Sequence, residues 1–192
     1  MKKQPLRVGF DLDGVILYNP VRIVRPIIAF FKNVFLHKKE LIFYYPKSPV
    51  SQWFWKLFHK SSIFISPGVN DLKMLVKQKK IKAYIVTARY DFLGSELKQW
   101  VKKNKFNSIF SGIYYNSQNK QPHFFKENMI KKLDLDVFVE DNWDIVDYLS
   151  NSIIKTRCSI YWIYNIFDRG KHFPNKFPFL QKAVYHIKND TK

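Results

Sequence analysis

Cysteine is almost absent from this chain of 192 residues: Cys158 stands alone, which excludes an intrachain disulfide and a thiolate zinc cluster. Long apolar runs are missing too. Charge-free stretches such as Cys158 to Phe167 fall well short of the ~18 residues a spanning helix needs, so no transmembrane helix is expected. Met1-Lys2-Lys3 starts as an export signal would, but Arg7, Asp11 and Asp13 break the apolar segment behind it, and the expected location is cytoplasmic. Acidic residues are scarce, 15 Asp and Glu against 33 Lys and Arg, for a formal net charge of +18. That surplus attracts phosphate-bearing ligands, nucleic acid among them, although a drifted composition rich in Lys, Asn, Ile, Phe and Tyr yields it with no such partner. Six of the few acids, Asp134, Asp136, Glu140, Asp141, Asp144 and Asp147, crowd into one short stretch.

What the chain does have is apolar content, 46% of residues, enough for the core of one domain carrying a sizeable insertion. Five short β-branched or aromatic runs predict buried strands: Leu6 to Phe10, Ala83 to Val86, Ile109 to Tyr115, Asp136 to Val139 and Ser159 to Tyr164. Helix-period segments fall between most of them, at Val69 to Lys79, Leu93 to Lys103, Lys126 to Leu133 and Asp144 to Asn151. This alternation predicts a doubly wound, parallel, Rossmann-like α/β domain. From about Tyr18 to Ile65 the rhythm breaks into prolines, aromatics and lysines. The expected division is therefore a core of residues 1–17 and 66–192 and a helical cap of residues 18–65, with helices at Val24 to Leu36 and Gln52 to His59. Asp168 to Pro178 reads as a basic loop, and Phe179 to Ile187 as a closing helix.

Ligands of an open parallel sheet bind beyond the carboxyl ends of its strands. There the first strand ends in Asp11-Leu12-Asp13-Gly14, the second in Thr87-Ala88-Arg89 and the fourth in Glu140-Asp141-Asn142. Two carboxylates two residues apart, with a third from another strand, suit a hard cation such as Mg²⁺. The metal would offset the repulsion between carboxylate and phosphate, letting Asp11 attack phosphorus to form an aspartyl-phosphate. Asp13 is placed to protonate the leaving oxygen and then to activate water, while Thr87 and a lysine hold the phosphoryl oxygens.

Val8-Gly9-Phe10-Asp11-Leu12-Asp13-Gly14-Val15 resembles the first motif of the haloacid dehalogenase superfamily, Tyr84-Ile85-Val86-Thr87 its second, and Val137-Phe138-Val139-Glu140-Asp141 its acidic fourth. They stand in the family's order. The resemblance implies a Rossmann-like core, Mg²⁺, Asp11 as nucleophile and Asp13 as general acid and base. True dehalogenases lack the second aspartate, so Asp13 points to phosphatases or phosphotransferases. Lys126 is the expected third-motif lysine, with Lys120, Lys131 and Lys132 as rivals. The implied metal ligands are Asp11, Asp13 and Asp141, with Glu140 and Asp144 supporting, and the implied phosphate and substrate contacts are Thr87, Ala88, Arg89 and Lys126. An insertion after the first motif matches a C1-type cap. Short strings, including Tyr164-Asn165-Ile166-Phe167-Asp168-Arg169, are most similar to 5'-nucleotidases of the deoxyribonucleotidase type.

The expected activity is Mg²⁺-dependent hydrolysis of a small phosphomonoester, with nucleoside monophosphates first. Alternatives are a phosphosugar, a nucleic-acid end, or a basic nucleic-acid-binding module without catalysis. Duller readings stand beside these: Arg89 pairs equally well with an acid, Cys158 suits a core position better than a nucleophilic one, and lysine runs at the helix ends suit solvent. Trp53, Phe54, Trp55 and Phe58 read first as cap core, second as a base-stacking surface and third as an amphipathic basic face for an anionic membrane.

Overall fold

A computed structural model describes residues 4–18, 41–60, 64–153 and 157–191. Alternation shapes β1 (Leu6–Phe10): Val8 and Phe10 point to one face of the sheet, while Gly9 lies on the other, where a Cβ would stand 2.5 Å from Leu135 Cδ1. Parallel pairing flanks β1 on both sides, with β4 (Ile81–Tyr90) at Phe10↔Ile85 and β6 (Val137–Glu140) at Phe10↔Val139. β5 (Gly112–Asn116), β7 (Ser159–Ile163) and β8 (Lys176–Phe177) complete a six-stranded sheet among the described residues, in the order β5-β4-β1-β6-β7-β8. The chain leaves β1 for one side of the sheet and later crosses to the other, so the carboxyl end of β1 lies at the switch point.

Helices cover both faces, as parallel strands require. Val8, Phe10 and Ile85 pack under α2 (Val69–Lys77), α3 (Gly94–Lys103) and α6 (Leu180–Asp190), through Leu72, Leu97 and Val184 among others. Tyr84, Val86, Phe138 and Trp162 pack under α4 (Pro122–Leu133) and α5 (Trp143–Ser152), through Ile130 and Val146. Two short strands, β2 (Leu17–Tyr18) and β3 (Phe64–Ile65), pair antiparallel in a separate two-stranded sheet. Between them in sequence lies α1 (Pro49–Lys60); the expected helix at Val24 to Leu36 falls outside the described residues.

Several boundaries differ from the sequence expectation for identifiable reasons. The third long strand begins at Gly112 because Phe106 to Ser108 form a single 3₁₀ turn that buries Phe106, with Ile109 and Phe110 behind it. α4 starts one turn earlier than Lys126, at Pro122, whose missing N–H is harmless in a first turn. The stretch read as a loop after Asp168 includes β8, an edge strand of two residues too short to show alternation. Of Trp53, Phe54, Trp55 and Phe58, read first as cap core, Trp53 and Phe54 are exposed and Trp55 is half-buried, while the Phe58 side chain lies outside what the structure describes. Among the described residues α1 meets its surroundings through Gln52, Trp55 and Lys56, on the side opposite Trp53 and Phe54.

Candidate active site

β1 ends at Phe10, and period two then turns Asp11 toward the α4 face, the side that Gly9 also occupies. By the same alternation Glu140, the last residue of β6, shares the face of Phe138. α4 presents a buried stripe of His123, Lys126, Ile130 and Leu133 to that face, and Lys126 substitutes a charge for an apolar side chain at its rim. Lys126 is 2% exposed, with Nζ 2.5 Å from Glu140 Oε2 and 3.1 Å from Asp11 Oδ2. Glu140 Oε1 accepts from the backbone N–H groups of Asp141 and Asn142 at 3.1 and 3.0 Å, which holds the turn out of β6. Asp141 is anchored from β7 as well, since the indole N–H of the fully buried Trp162 donates to its carbonyl at 3.3 Å.

Asp11, Glu140 and Asp141 each offer an oxygen within 4.8 Å of the others, a donor set of three hard ligands suited to a divalent cation. Gly14 makes room beside them. Its φ of 91° belongs to the left-handed region, and a Cβ there would run into the Asp141 carboxylate.

Asp13 faces elsewhere. Arg89 Nε and a terminal guanidinium nitrogen donate to its two oxygens, both at 2.7 Å, in a fork-to-fork pair with Arg89 buried. A register shift in β4 between Thr87 and Tyr90 re-aims this stretch: Thr87 is buried with Oγ1 accepting from the Arg89 N–H at 3.3 Å, and Ala88 between them is half-buried. Of the residues singled out from the sequence, the structure thus gathers Asp11, Glu140, Asp141 and Lys126 around one point, and joins Asp13 to Arg89. Asp144 is exposed in the first turn of α5, its N–H bonded to the Asn142 side chain. Among the rival lysines, Lys131 pairs with Glu127 on the surface, Lys132 is exposed, and the Lys120 backbone is bound by the buried Asn116 amide. Trp162 escaped the sequence reading, yet a tryptophan within a buried strand needs a partner for its N–H.

Electrostatics follow from burial. The Asp11 carboxyl is pushed well above its ordinary pKa by desolvation, with Lys126 opposing and Glu140, Asp141 and Asp13 adding to the rise. Desolvation raises Glu140 too, again against Lys126. Burial works to lower the Lys126 pKa, but Asp11 and Glu140 outweigh it and hold the ammonium charged; Asp13 does the same for Arg89. Counted as formal charges, four carboxylates against two cations leave two negative charges, which a divalent cation would balance. Cys158 lies apart, its thiol pushed up to about 12 by burial and Asp136, which leaves it inert as a nucleophile.

One turn before Lys126, His123 is buried against Phe124 and Tyr148, with ring centroids 4.1 and 4.5 Å away, and against Phe43 at 5.9 Å. Burial lowers its pKa below 6.5, with Glu127 pulling the other way. The unfolded chain therefore takes up this proton more readily than the folded one, and His123 costs stability as pH falls through 6.5 toward the folded value. Thermal melts at about pH 7.5 and about pH 5.5 are expected to differ less in His123→Phe than in the wild type. An equal difference would show that another group carries the dependence.

No family model matches the chain. A "Putative nucleotidase" of Oceanobacillus iheyensis is 28% identical over 91 residues, which take in 47% of this chain and 46% of that protein. Among solved structures, a haloacid dehalogenase-type hydrolase of family IA from Entamoeba histolytica superposes with a TM-score of 0.62 at 13% identity, covering 96% of this chain and 100% of the other. A hydrolase of the same superfamily from Ehrlichia chaffeensis covers 98% of both chains with a TM-score of 0.55 at 14% identity. CbbY from Rhodobacter sphaeroides, in complex with phosphate, covers 93% of this chain and 96% of its own with a TM-score of 0.55 at 13% identity. The sheet order, the acidic switch point and these superpositions agree that the chain has the haloacid dehalogenase-like fold.

Proposed function

We propose that the protein is a Mg²⁺-dependent phosphomonoester hydrolase that works through an aspartyl-phosphate on Asp11, with nucleoside monophosphates as the first substrate class. The observation that carries this reading is the buried carboxylate cluster of Asp11, Glu140 and Asp141 around Lys126 at the carboxyl end of β1. Support for the substrate class comes from the partial likeness to the nucleotidase. The fold's phosphate-bound relative supports a phosphorylated ligand.

Asp11, Glu140 and Asp141 would hold the cation, which when bound lowers the repulsion between an anionic carboxylate and an anionic phosphate. An Asp11 oxygen attacks phosphorus in line while the ester oxygen leaves and takes a proton from Asp13. Water then attacks the acyl phosphate, its proton passing to Asp13, and phosphate departs with Asp11 restored. Lys126, the Thr87 hydroxyl and the Ala88 backbone serve the equatorial oxygens, where charge gathers. Arg89 sets the rotamer of Asp13. Because its fork favours the anion, Arg89 has to release one of its two bonds before Asp13 can carry a proton; the incoming phosphate offers that N–H an alternative acceptor.

Arg89→Ala is therefore expected to lower kcat about 10- to 100-fold with a smaller change in KM, as a misplaced proton donor would. A rise in KM at constant kcat would show that Arg89 only binds substrate and does not position Asp13. The function itself is tested by phosphate release from nucleoside monophosphates, deoxynucleotides, sugar phosphates and a phosphorylated oligonucleotide, with Mg²⁺ and with chelator. Release confined to the Mg²⁺ samples and fastest with nucleotides is expected. Release from sugar phosphates alone would move the substrate class. Oligonucleotide binding that weakens steeply with salt, without release of phosphate from any compound, would establish the non-catalytic alternative.

A further inference from the structure

α1 is amphipathic in the wrong sense for a helix seated on a core. Among the described residues, α1 meets its surroundings through Trp55, whose ring lies 6.1 Å from that of Tyr44, through Gln52, which donates to the Pro46 carbonyl at 3.2 Å, and through Lys56, 3.5 Å from Glu96. The opposite side carries Val50, Trp53, Phe54 and Leu57, spaced i, i+3, i+4, i+7 and exposed by 66, 58, 60 and 54%. This is a continuous apolar stripe about 100° wide turned to solvent. Stripes of that kind mark a surface that another phase or molecule covers.

We infer that this face of α1 docks the protein on an anionic membrane surface, with Val50, Trp53, Phe54 and Leu57 entering the headgroup boundary. Charge selects this occupant. The chain carries +18, and Lys47 and Lys60, both exposed, lie at the two ends of the helix where they meet anionic headgroups. A second copy pressing the same face against it would bring those lysines, and two chains of +18, together. A nucleic acid would satisfy the lysines but gain nothing from Val50 and Leu57, which have no ring to stack. A tryptophan and a phenylalanine side by side, 5.0 Å between ring centroids, suit the depth at which an interfacial helix rests. No helix among the described residues is long and apolar enough to cross a membrane. The inference stands independently of the phosphatase reading, since it uses no residue of the carboxylate site.

The test is co-sedimentation of the full chain with vesicles of phosphatidylcholine alone and with about 30% phosphatidylglycerol added. The wild type is expected to pellet with the anionic vesicles and to remain in the supernatant with the neutral ones. Trp53→Ser combined with Leu57→Ser leaves the net charge unaltered, and is expected to weaken binding at least about tenfold without lowering the melting temperature. Should the double variant fail to fold, Val50→Ser alone is expected to weaken binding about threefold. Equal pelleting of wild type and the folded serine variants would mean that charge alone draws the protein down, and would overturn the docking face. So would a wild type that ignores anionic vesicles, including one that proves to be a dimer dissolved by the double substitution.

Discussion

Replacing Lys126 by Met is expected to cost about 3–5 kcal/mol of folding stability, the usual penalty for removing one partner of a buried ion pair. Methionine matches the length and bulk of the lysine stem, so little packing is lost along α4. What disappears is the one ammonium between Asp11 and Glu140, at 3.1 and 2.5 Å from their oxygens. Both carboxylates are already disfavoured as anions by burial, and without Lys126 they either protonate or remain charged without the ammonium that bridges them. For a chain of this size the loss corresponds to a drop in melting temperature on the order of 10 °C. Adding Mg²⁺ is expected to return part of it, because the same oxygens then have a cation. Thermal melts of wild type and variant in chelator and in Mg²⁺ check both statements. Equal melting temperatures in chelator would show that Lys126 does not neutralise the cluster.

Much of this site was legible because it is built at strand ends, where spacing in sequence and position in space are tied together. Asp11 and Asp13 close β1, Glu140 and Asp141 close β6, and both strands are apolar enough to be recognised as buried. The lysine was harder to choose. Its place at the opening of the expected helix before the acidic strand favours Lys126, and the helical wheel of α4 separates it from two rivals, since Lys126 shares a face with His123, Ile130 and Leu133, whereas Lys131 and Lys132 fall outside it. Arg89 could not be assigned from sequence, because its partner Asp13 lies 76 residues away and the irregularity in β4 that turns it there has no mark in the local pattern. β2, β3 and β8, two residues each, are too short for a period to show. The aromatics of α1 misled for a different reason: helical spacing reports that Trp53, Phe54 and Leu57 share a face, but not whether that face looks inward.

Asp11→Asn is expected to separate activity from stability more sharply than any other substitution. Loss of the nucleophile should reduce phosphate release by about 10⁴-fold or more, since no other described carboxylate occupies the carboxyl end of β1 facing Lys126. Stability should move the other way or not at all. The Asp11 anion is opposed by its own burial and by Glu140, Asp141 and Asp13, with Lys126 the main group favouring it and Arg89 adding a weaker attraction. Asparagine keeps the shape, sheds that repulsion, and leaves Lys126 its shorter contact with Glu140 at 2.5 Å. In metal-free buffer the variant is therefore expected to melt at or above the wild-type temperature, and to gain less than the wild type when Mg²⁺ is added, having one ligand oxygen fewer that carries charge. Phosphate release and paired melts measure the two effects on one preparation. Retained release would remove Asp11 from the nucleophilic role. Lost release with a melting temperature far below wild type would mean that Asp11 holds the switch point together, and that its charge is a structural requirement of this chain.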